Sequence, residues 1–564
     1  MNRLNGAEAF VRMLQLHGVG VIFGLCGDTS LPLYDALARL DHGITHVLTR
    51  DERSAAYMAD SYAKITGRVG VCEGPSGGGA TYILPGVVEA NESSIPILAI
   101  TSDISVSSRG RFNLTEFDQK ALFAPLTKWN DVIDRAEDIP RTLRAAFSAM
   151  TTGTPGAAHI GLPFDVQNQP VDEAEIWADE TLGRYPARRI APDPMTIEHA
   201  ARIIREASAP LFICGGGVLI ARAEEELRGL AERIGAPVAA TISGQGSIGD
   251  AHPLAVGVVG SNGGVSETRE IVDQADLIIF VGCRAGSVTT ERWRHPEPGA
   301  TKVIHIDTNP AVMDATYQTD CAIIGDAKLT LGALDASLAL DIEAAPPRKL
   351  NADFIAARKK AKFDAFHALA ASNETPIRPE RIVADLQEVL PDDAIVIADP
   401  GTPCPYISAY YEFNRAGRHF LSNRAHGALG YALPAAVGAH YARPDAKVVA
   451  VMGDGAFGFC VGELETFTRL NIPATFVVIS NSVFGWIKAG QKSGYDERYF
   501  SVDFSRTDHA KVAEAYGVKS WQVGEPAELK SALAKAIAHD GPSLVDIIVQ
   551  PLQDANAPVS EWVA

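Results

Sequence analysis

Residues 447–457 read KVVAVMGDGAF, in which five apolar residues (448–452) run directly into Gly453-Asp454-Gly455. A continuous apolar run of that length predicts a strand buried on both faces, and the flanking glycines let the chain turn sharply where it ends. Asp454 is thereby presented at the carboxyl end of a strand. The next apolar run, ATFVVIS at 474–480, ends on Asn481, 27 residues beyond Asp454 and separated from it by a helical segment. Strand, helix and strand predict a parallel pair, so both side chains emerge on one rim of the sheet, the rim at which such sheets bind ligands. A carboxylate, an amide oxygen and the backbone carbonyl just after Asn481 form a hard-oxygen set suited to Mg²⁺ or Ca²⁺, with coordination positions left for diphosphate oxygens and water. Gly-Asp-Gly alone reads as a turn and Asn481 alone as a helix cap. The strand context and the spacing favour a metal-diphosphate site.

Working outward, the same alternation covers the chain. From about residue 7 to 170, helical patterns alternate with β-rich runs at 19–23, 69–72, 97–100 and 158–160. A polar stretch with three prolines, 185–194, reads as a linker, and after it PLFICGGG, PVAAT, DLIIFVG and KVIHIDTNP repeat the pattern to about 340. The Pro-rich, charged segment 343–350 (EAAPPRKL) reads as a second linker, followed by a third alternating unit with the runs AIVIAD, KVVAVMGD, ATFVVISN and SLVDIIV. The expectation is an α/β protein of three domains, 1–175, 190–342 and 370–564, each a mostly parallel sheet flanked by helices. At 564 residues and 46% apolar composition, each has ample material for a core.

A formal charge of −19 argues against a nucleic-acid partner, which would need clustered Lys and Arg to neutralise phosphates. The seven cysteines (26, 72, 214, 283, 321, 404 and 460) are scattered, with no Cys-x-x-Cys pair, so neither a disulfide framework nor a zinc site is expected. No stretch reaches the ~20 apolar residues of a membrane span. The expected setting is the cytoplasm, with no membrane partner.

The metal motif resembles that of the thiamine diphosphate enzyme superfamily, a Gly-Asp-Gly followed some 25 to 30 residues later by an Asn, and the likeness extends over nearly the whole chain. It implies that the pyrimidine of the cofactor is bound by the first domain and the diphosphate by the third, around a Rossmann-like middle domain. Asp454, Asn481 and the carbonyl of Val483 would ligate Mg²⁺. Gly401 and Thr402 in IADPGTP, with Gly453 and the amides of Gly455 and Ala456, would contact the thiamine diphosphate. In HVLTRDERSAAYMADSYAKITGR, Glu52 falls where the family places its activating glutamate, which hydrogen-bonds the pyrimidine ring and promotes loss of the thiazolium C2 proton. A carboxyl at the start of an apolar helix is poorly solvated and has a raised pKa, which suits that role. Asp51 and Glu73 are the competing acids, and a plain helix-start role for Glu52 is the competing reading. The segment HGALGYALPAAVGA resembles the acetolactate synthase stretch that bends the cofactor, with Leu429 as the wedge and Gly427 offering its carbonyl to the amino group.

Overall order and length look most like the branch holding acetolactate synthase, oxalyl-CoA decarboxylase and benzaldehyde lyase. Departures separate the chain from strict acetohydroxyacid synthases. Val288 stands where their second Arg grips a carboxylate (Arg284 is kept), Gly490 where they carry Trp, and Leu114-Thr115 where they carry Phe-Gln. Family position suggests Cys26, Asp28, Thr29, Ser76, Gln119, His426 and Trp486 for the substrate pocket, and Arg109, Arg111 or Arg424 for attracting a carboxylate. The two polar residues at 28 and 29 point to a polar substrate. The resemblance implies a carboligase or lyase working on a C–C bond next to the carbonyl of a small 2-oxo acid, aldehyde or hydroxyketone. The alternatives are a non-ligating 2-oxo acid or acyl-CoA decarboxylase, a flavin-dependent oxidase of the pyruvate oxidase type, and a catalytically silent relative. FAD or ADP in the central domain is a further expectation, resting on Gly215–Gly217, Asp307 and Asp326. In the family the cofactor spans two subunits, so the expected assembly is at least a homodimer, commonly a homotetramer.

Overall fold

The computed structural model describes residues 3–339 and 348–562, so most of the second expected linker (343–347) lies outside the described residues. Three six-stranded sheets are present, and every strand pairing within them is parallel. In spatial order the first comprises Thr45–Leu48, Val21–Gly24, Gly70–Gly74, Ile97–Asp103, Ala158–Pro163 and Trp129–Val132. The second comprises Ala255–Val258, Val238–Ala240, Pro210–Cys214, Leu277–Val281, Lys302–Asp307 and Cys321–Ile324. The third comprises Phe420–Leu421, Ile395–Ala398, Val448–Gly453, Ala474–Ser480, Ser543–Ile548 and Lys519–Val523. Counting strands within each sheet in chain order, the first and third share the order 2-1-3-4-6-5, while the middle one has the 3-2-1-4-5-6 order of dinucleotide-binding sheets. A two-stranded antiparallel ribbon, Arg3–Asn5 with Pro170–Asp172, completes the strands.

The sequence patterns map onto these elements for simple reasons. Central strands such as Ile97–Asp103 and Ala474–Ser480 are buried throughout, as strands covered on both faces must be. The first helix, Gly6–Leu16, is opened by a reciprocal cap between Asn5 and Glu8. The strand expected from 19 begins instead at Val21, because the Val19 N–H is still bonded to the Leu14 carbonyl at the helix terminus, with Gly18 at φ +74°.

The chain folds as two compact units. One holds the stretch up to Arg188 together with Asn423–Asp445 and Cys460–Leu470; the other holds Arg189–Ser422, Ala446–Phe459 and the chain from Asn471 on. In the first unit, helix Ala432–Ala442 packs on helix Glu52–Thr66, and both are buried along nearly their whole length. Their backbones touch at Gly438, where a Cβ would fall 2.1 Å from the Met58 carbonyl oxygen. In the second unit, the third-sheet core includes Ile242 and Val258 from the central sheet region. Among the described residues no helix is long and apolar enough to cross a membrane.

Candidate active site

At the carboxyl rim of the first sheet, strand Thr45–Leu48 leads through Asp51 into helix Glu52–Thr66. The three acids weighed there have different surroundings. The Asp51 carboxylate caps the helix, accepting from the Arg53 N–H at 2.8 Å and pairing with its guanidinium at 3.2 Å. Glu73 is buried at the end of strand Gly70–Gly74, where it accepts a hydrogen bond from the Tyr34 hydroxyl, which in turn lies 3.0 Å from His46 Nε2. Glu52 is 7% exposed and lies in a slot walled by glycines: a Cβ on Gly79 would sit 3.1 Å from its Oε1, and one on Gly74 would sit 3.1 Å from its Cγ. Burial raises the Glu52 pKa against the opposing effect of a backbone N–H, and the negative charges of Asp51 and Glu73 push the same way as burial. The turn ahead of Glu52 is itself anchored, since the Arg50 N–H donates to buried Glu463 at 2.8 Å. Burial pushes Glu463 up to about 7.

Residues 423–431 belong to the same unit. Leu429 is half-buried, Gly427 and the His426 side chain are exposed, and Gly427 has φ +74°. The backbone N–H groups of Ala425 and His426 donate to buried Glu89 at 3.1 and 2.7 Å. Glu89 lies 3.7 Å from the Lys64 ammonium, which is 2.7 Å from Asp60, which in turn accepts from the Tyr431 hydroxyl at 2.7 Å. This buried network ties the loop to helix Glu52–Thr66, and sequence reading passed over it. The signal was present as Asp60 and Lys64, charges four residues apart inside an otherwise apolar helix.

Thr29 and Ser76 are in contact. The Thr29 hydroxyl lies 3.0 Å from Ser76 Oγ and 2.7 Å from Ser102 Oγ, and Ser76 Oγ lies 2.9 Å from Thr115 Oγ1. Cys26 and Asp28 are exposed nearby. Gln119 is buried beside this cluster, accepting from the Thr101 hydroxyl at 2.5 Å and donating to the Ser102 carbonyl at 3.0 Å. Arg109 is paired with Asp134 at 2.6 Å.

In the second unit Asp454 opens helix Asp454–Cys460 directly from strand Val448–Gly453. Its flanking glycines are not needed for a left-handed turn, as neither has positive φ. A Cβ on Gly455 would fall 2.8 Å from the Phe484 ring, so a larger residue there would have to displace that ring. Asp454 is buried. One carboxylate oxygen accepts from the N–H groups of Asn481 (2.9 Å) and Ser482 (2.6 Å), the other from Gly455 (2.8 Å). Burial raises its pKa, and these three N–H groups oppose that rise. The Asp454 carboxylate, the Asn481 amide and the Val483 carbonyl are thus carried by two turns in direct contact. Gly401 (φ +94°) and Thr402 follow the neighbouring strand, and the Thr402 hydroxyl lies 3.6 Å from where a Cβ on Gly485 would be. Added Cβ atoms at Gly401, Gly427 or Gly453 would meet nothing within 4 Å, so the backbone at each is open to close approach by a ligand.

Behind Asn481, Ser480 Oγ is bonded to Asp546 at 2.5 Å and lies 3.0 Å from His509 Nδ1. Burial opposes charge on Asp546, but hydrogen bonds from His509, Ser480 and Gln522 hold its pKa below the ordinary range. This support was also missed, although a lone Asp inside the apolar run SLVDIIV marked it. Trp486 packs on the third-sheet core with its ring 5.2 Å from that of Trp562, whose backbone also borders Gly490. Among the described residues no three His, Cys, Asp or Glu side chains cluster as a metal site. The Asp, Asn and carbonyl set is of another kind: its hard oxygens fit Mg²⁺, which would keep positions for diphosphate oxygens.

In the central sheet the nucleotide expectation meets committed residues. Gly215 and Gly217 are used for backbone contact with Gly282, where Cβ atoms would fall 2.1 and 2.5 Å away. Asp326 caps a helix and is held by Arg189, with both carboxylate oxygens 2.8 Å from the guanidinium. Asp307 accepts from the Asn309 N–H at 2.8 Å.

The three parallel sheets match the three domains of an enzyme of the thiamine diphosphate class, as comparison with known proteins shows. Residues 4–122 match the N-terminal TPP binding domain of thiamine pyrophosphate enzymes, 197–334 their central domain and 399–547 their C-terminal TPP binding domain. The chain belongs to the thiamine pyrophosphate enzyme family. It is 36% identical to the probable acetolactate synthase large subunit of Methanocaldococcus jannaschii, across 98% of this chain and 93% of that protein. It is 32% identical to the acetolactate synthase of Arthrospira platensis (98% and 96% covered) and 31% identical to the acetolactate synthase isozyme 3 large subunit of Escherichia coli K12 (95% and 93%). The protein is a thiamine diphosphate-dependent enzyme related to acetolactate synthase.

Proposed function

We propose that this enzyme is a Mg²⁺-dependent carboligase or lyase that makes or breaks a C–C bond next to the carbonyl of a small 2-oxo acid, aldehyde or hydroxyketone. The observation that carries the reading is Glu52, a carboxyl buried in a glycine-walled slot at the rim of a sheet whose family relatives bind the cofactor. Thiamine diphosphate, when bound, supplies a nucleophilic carbon that adds to carbonyls and takes up the charge left when a neighbouring bond breaks. Burial raises the Glu52 pKa, which suits a carboxyl that would share a proton with the pyrimidine of the bound cofactor. Asp454, Asn481 and the Val483 carbonyl hold Mg²⁺, and Gly401, Thr402, Gly455 and Ala456 meet the diphosphate. Leu429 and Gly427, on a loop fixed through Glu89, would contact the cofactor when it is bound. Val288, Gly490 and Leu114-Thr115 favour substrates other than those of strict acetohydroxyacid synthases.

Because Gly215, Gly217 and Asp326 are committed to protein contacts, no part is assigned to FAD or ADP. The active assembly is at least a homodimer, with each cofactor shared between two copies. A panel of 2-oxo acids and aldehydes, scored for CO₂ release and for hydroxyketone formation with thiamine diphosphate and Mg²⁺, tests the proposal. Turnover of none of them overturns it.

A further inference from the structure

Four side-chain hydroxyls form an unbroken chain at the carboxyl rim of the first sheet: Ser102, Thr29, Ser76 and Thr115. Thr29, Ser76 and Ser102 lie at or just beyond the ends of three adjacent strands, Val21–Gly24, Gly70–Gly74 and Ile97–Asp103; Thr115 is on the connection that follows the third, and the next strand in the sheet leads to Glu52. The Pro75–Gly79 turn carries Ser76 and also forms the wall of the Glu52 slot. The hydroxyl chain therefore lies on the rim where substrate has to sit.

Its proton bookkeeping is constrained. Thr115 donates to the Leu114 carbonyl (2.5 Å), and Thr29 donates to Ser76 while accepting from the Ser76 backbone N–H at 3.2 Å. With Ser76 donating to Thr115 and Ser102 to Thr29, every proton is used; one acceptor position remains on each of Ser76 and Thr115 and two on Ser102. Ser76 and Ser102 are buried and Thr115 is half-buried, so of these acceptors Thr115 is the most open to a ligand. Thr115 is also a β-branched residue at φ +70°, a conformation such residues rarely adopt, and it is packed against Gly77, where a Cβ would fall 2.6 Å from its methyl group. Backbone strain held in place by contacts at a site rim marks a side chain that is being aimed.

We propose that Thr115, backed by Ser76 and Thr29, is a specificity residue that accepts a hydrogen bond from a hydroxyl next to the reacting carbonyl, so the preferred substrate is a hydroxylated carbonyl compound. This rests on the proposed function and narrows its substrate class. A hydroxyl can donate to the free lone pair, whereas a methyl group at the same place leaves the acceptor unmatched.

The test measures kcat/KM for two matched pairs with the complete enzyme, thiamine diphosphate and Mg²⁺: hydroxypyruvate against pyruvate as donor, and glycolaldehyde against acetaldehyde as acceptor. The wild type should favour the hydroxylated member of at least one pair by about tenfold or more. Which pair responds tells whether donor or acceptor is read. Thr115→Val should collapse that ratio towards one, and Thr115→Ser should keep it. Equal rates within both pairs for the wild type, or a ratio unchanged in Thr115→Val, overturn the hydroxyl reading while leaving the proposed function standing. Turnover with neither pair nor any other carbonyl compound overturns both.

Discussion

A carboxyl that has to keep or share a proton near neutrality needs poor solvation without a strong cation beside it, and Glu52 meets both conditions. Replacing it with Gln preserves shape, so Glu52→Gln should bind thiamine diphosphate and Mg²⁺ with near-native affinity by calorimetry. Its turnover should fall by about 10²–10⁴, and a near-native rate would refute the role. Glu463 makes a different kind of prediction. Its folded pKa of about 7 lies above the ordinary 4.5, so between those values the folded protein binds more protons than the unfolded chain. The stability this contributes is fully present below about pH 4.5 and is lost as pH rises through 7, a change of about 3 kcal/mol for the isolated group. Glu463→Gln keeps an acceptor for the Arg50 N–H and removes the titration. Its Tm relative to wild type should therefore rise between pH 5 and pH 8, and an offset constant across that range would contradict the assignment.

Between elements, the contact of helices Glu52–Thr66 and Ala432–Ala442 positions both the candidate acid and the 423–431 loop. Gly438 allows it by bringing backbone against backbone at Met58, a contact no side chain can yield to. Gly438→Ala should destabilise the protein by about 1–3 kcal/mol in chemical denaturation, and no shift in the midpoint would show that the helices can part without cost. At Gly455 the obstacle is the edge of the Phe484 ring, which can swing. Gly455→Ala should therefore spare global stability and weaken Mg²⁺ and cofactor binding through the Asn481–Val483 turn. That is checked by titrating the cofactor into the variant at fixed Mg²⁺ and comparing the midpoint with wild type.

For the whole molecule, the proposed sharing of each cofactor between two copies can be tested by mixing two inactive variants. Glu52→Gln disables one half of a site and Asp454→Asn the other, so a mixed dimer keeps one intact site of two. Random co-assembly should recover about a quarter of wild-type activity, whereas sites built within single chains would recover none. Much of this architecture was legible in the sequence. Parallel strands covered on both faces require continuous apolar runs, and the residue ending each run lies on the ligand rim, so Asp454 and Asn481 could be placed by counting, while Glu52 and Gly401, a few residues past their strands, were placed by family resemblance. Other features depended on contacts between residues far apart in the chain, for which local pattern carries no signal. Glu89 reaches the 425–426 backbone across 336 positions, and Ser480 meets Asp546 across 66. Gln119 bonds Thr101 and the Ser102 carbonyl, Trp486 packs on Trp562, and Thr115, passed over as a mere departure, joins the hydroxyl chain. The sequence by itself determined the sheets and the rim residues, because strand period and burial are local properties. Only the tertiary structure decided which carboxyl lies in a glycine slot and which hydroxyl keeps a free lone pair, because those are set by neighbours brought together in folding.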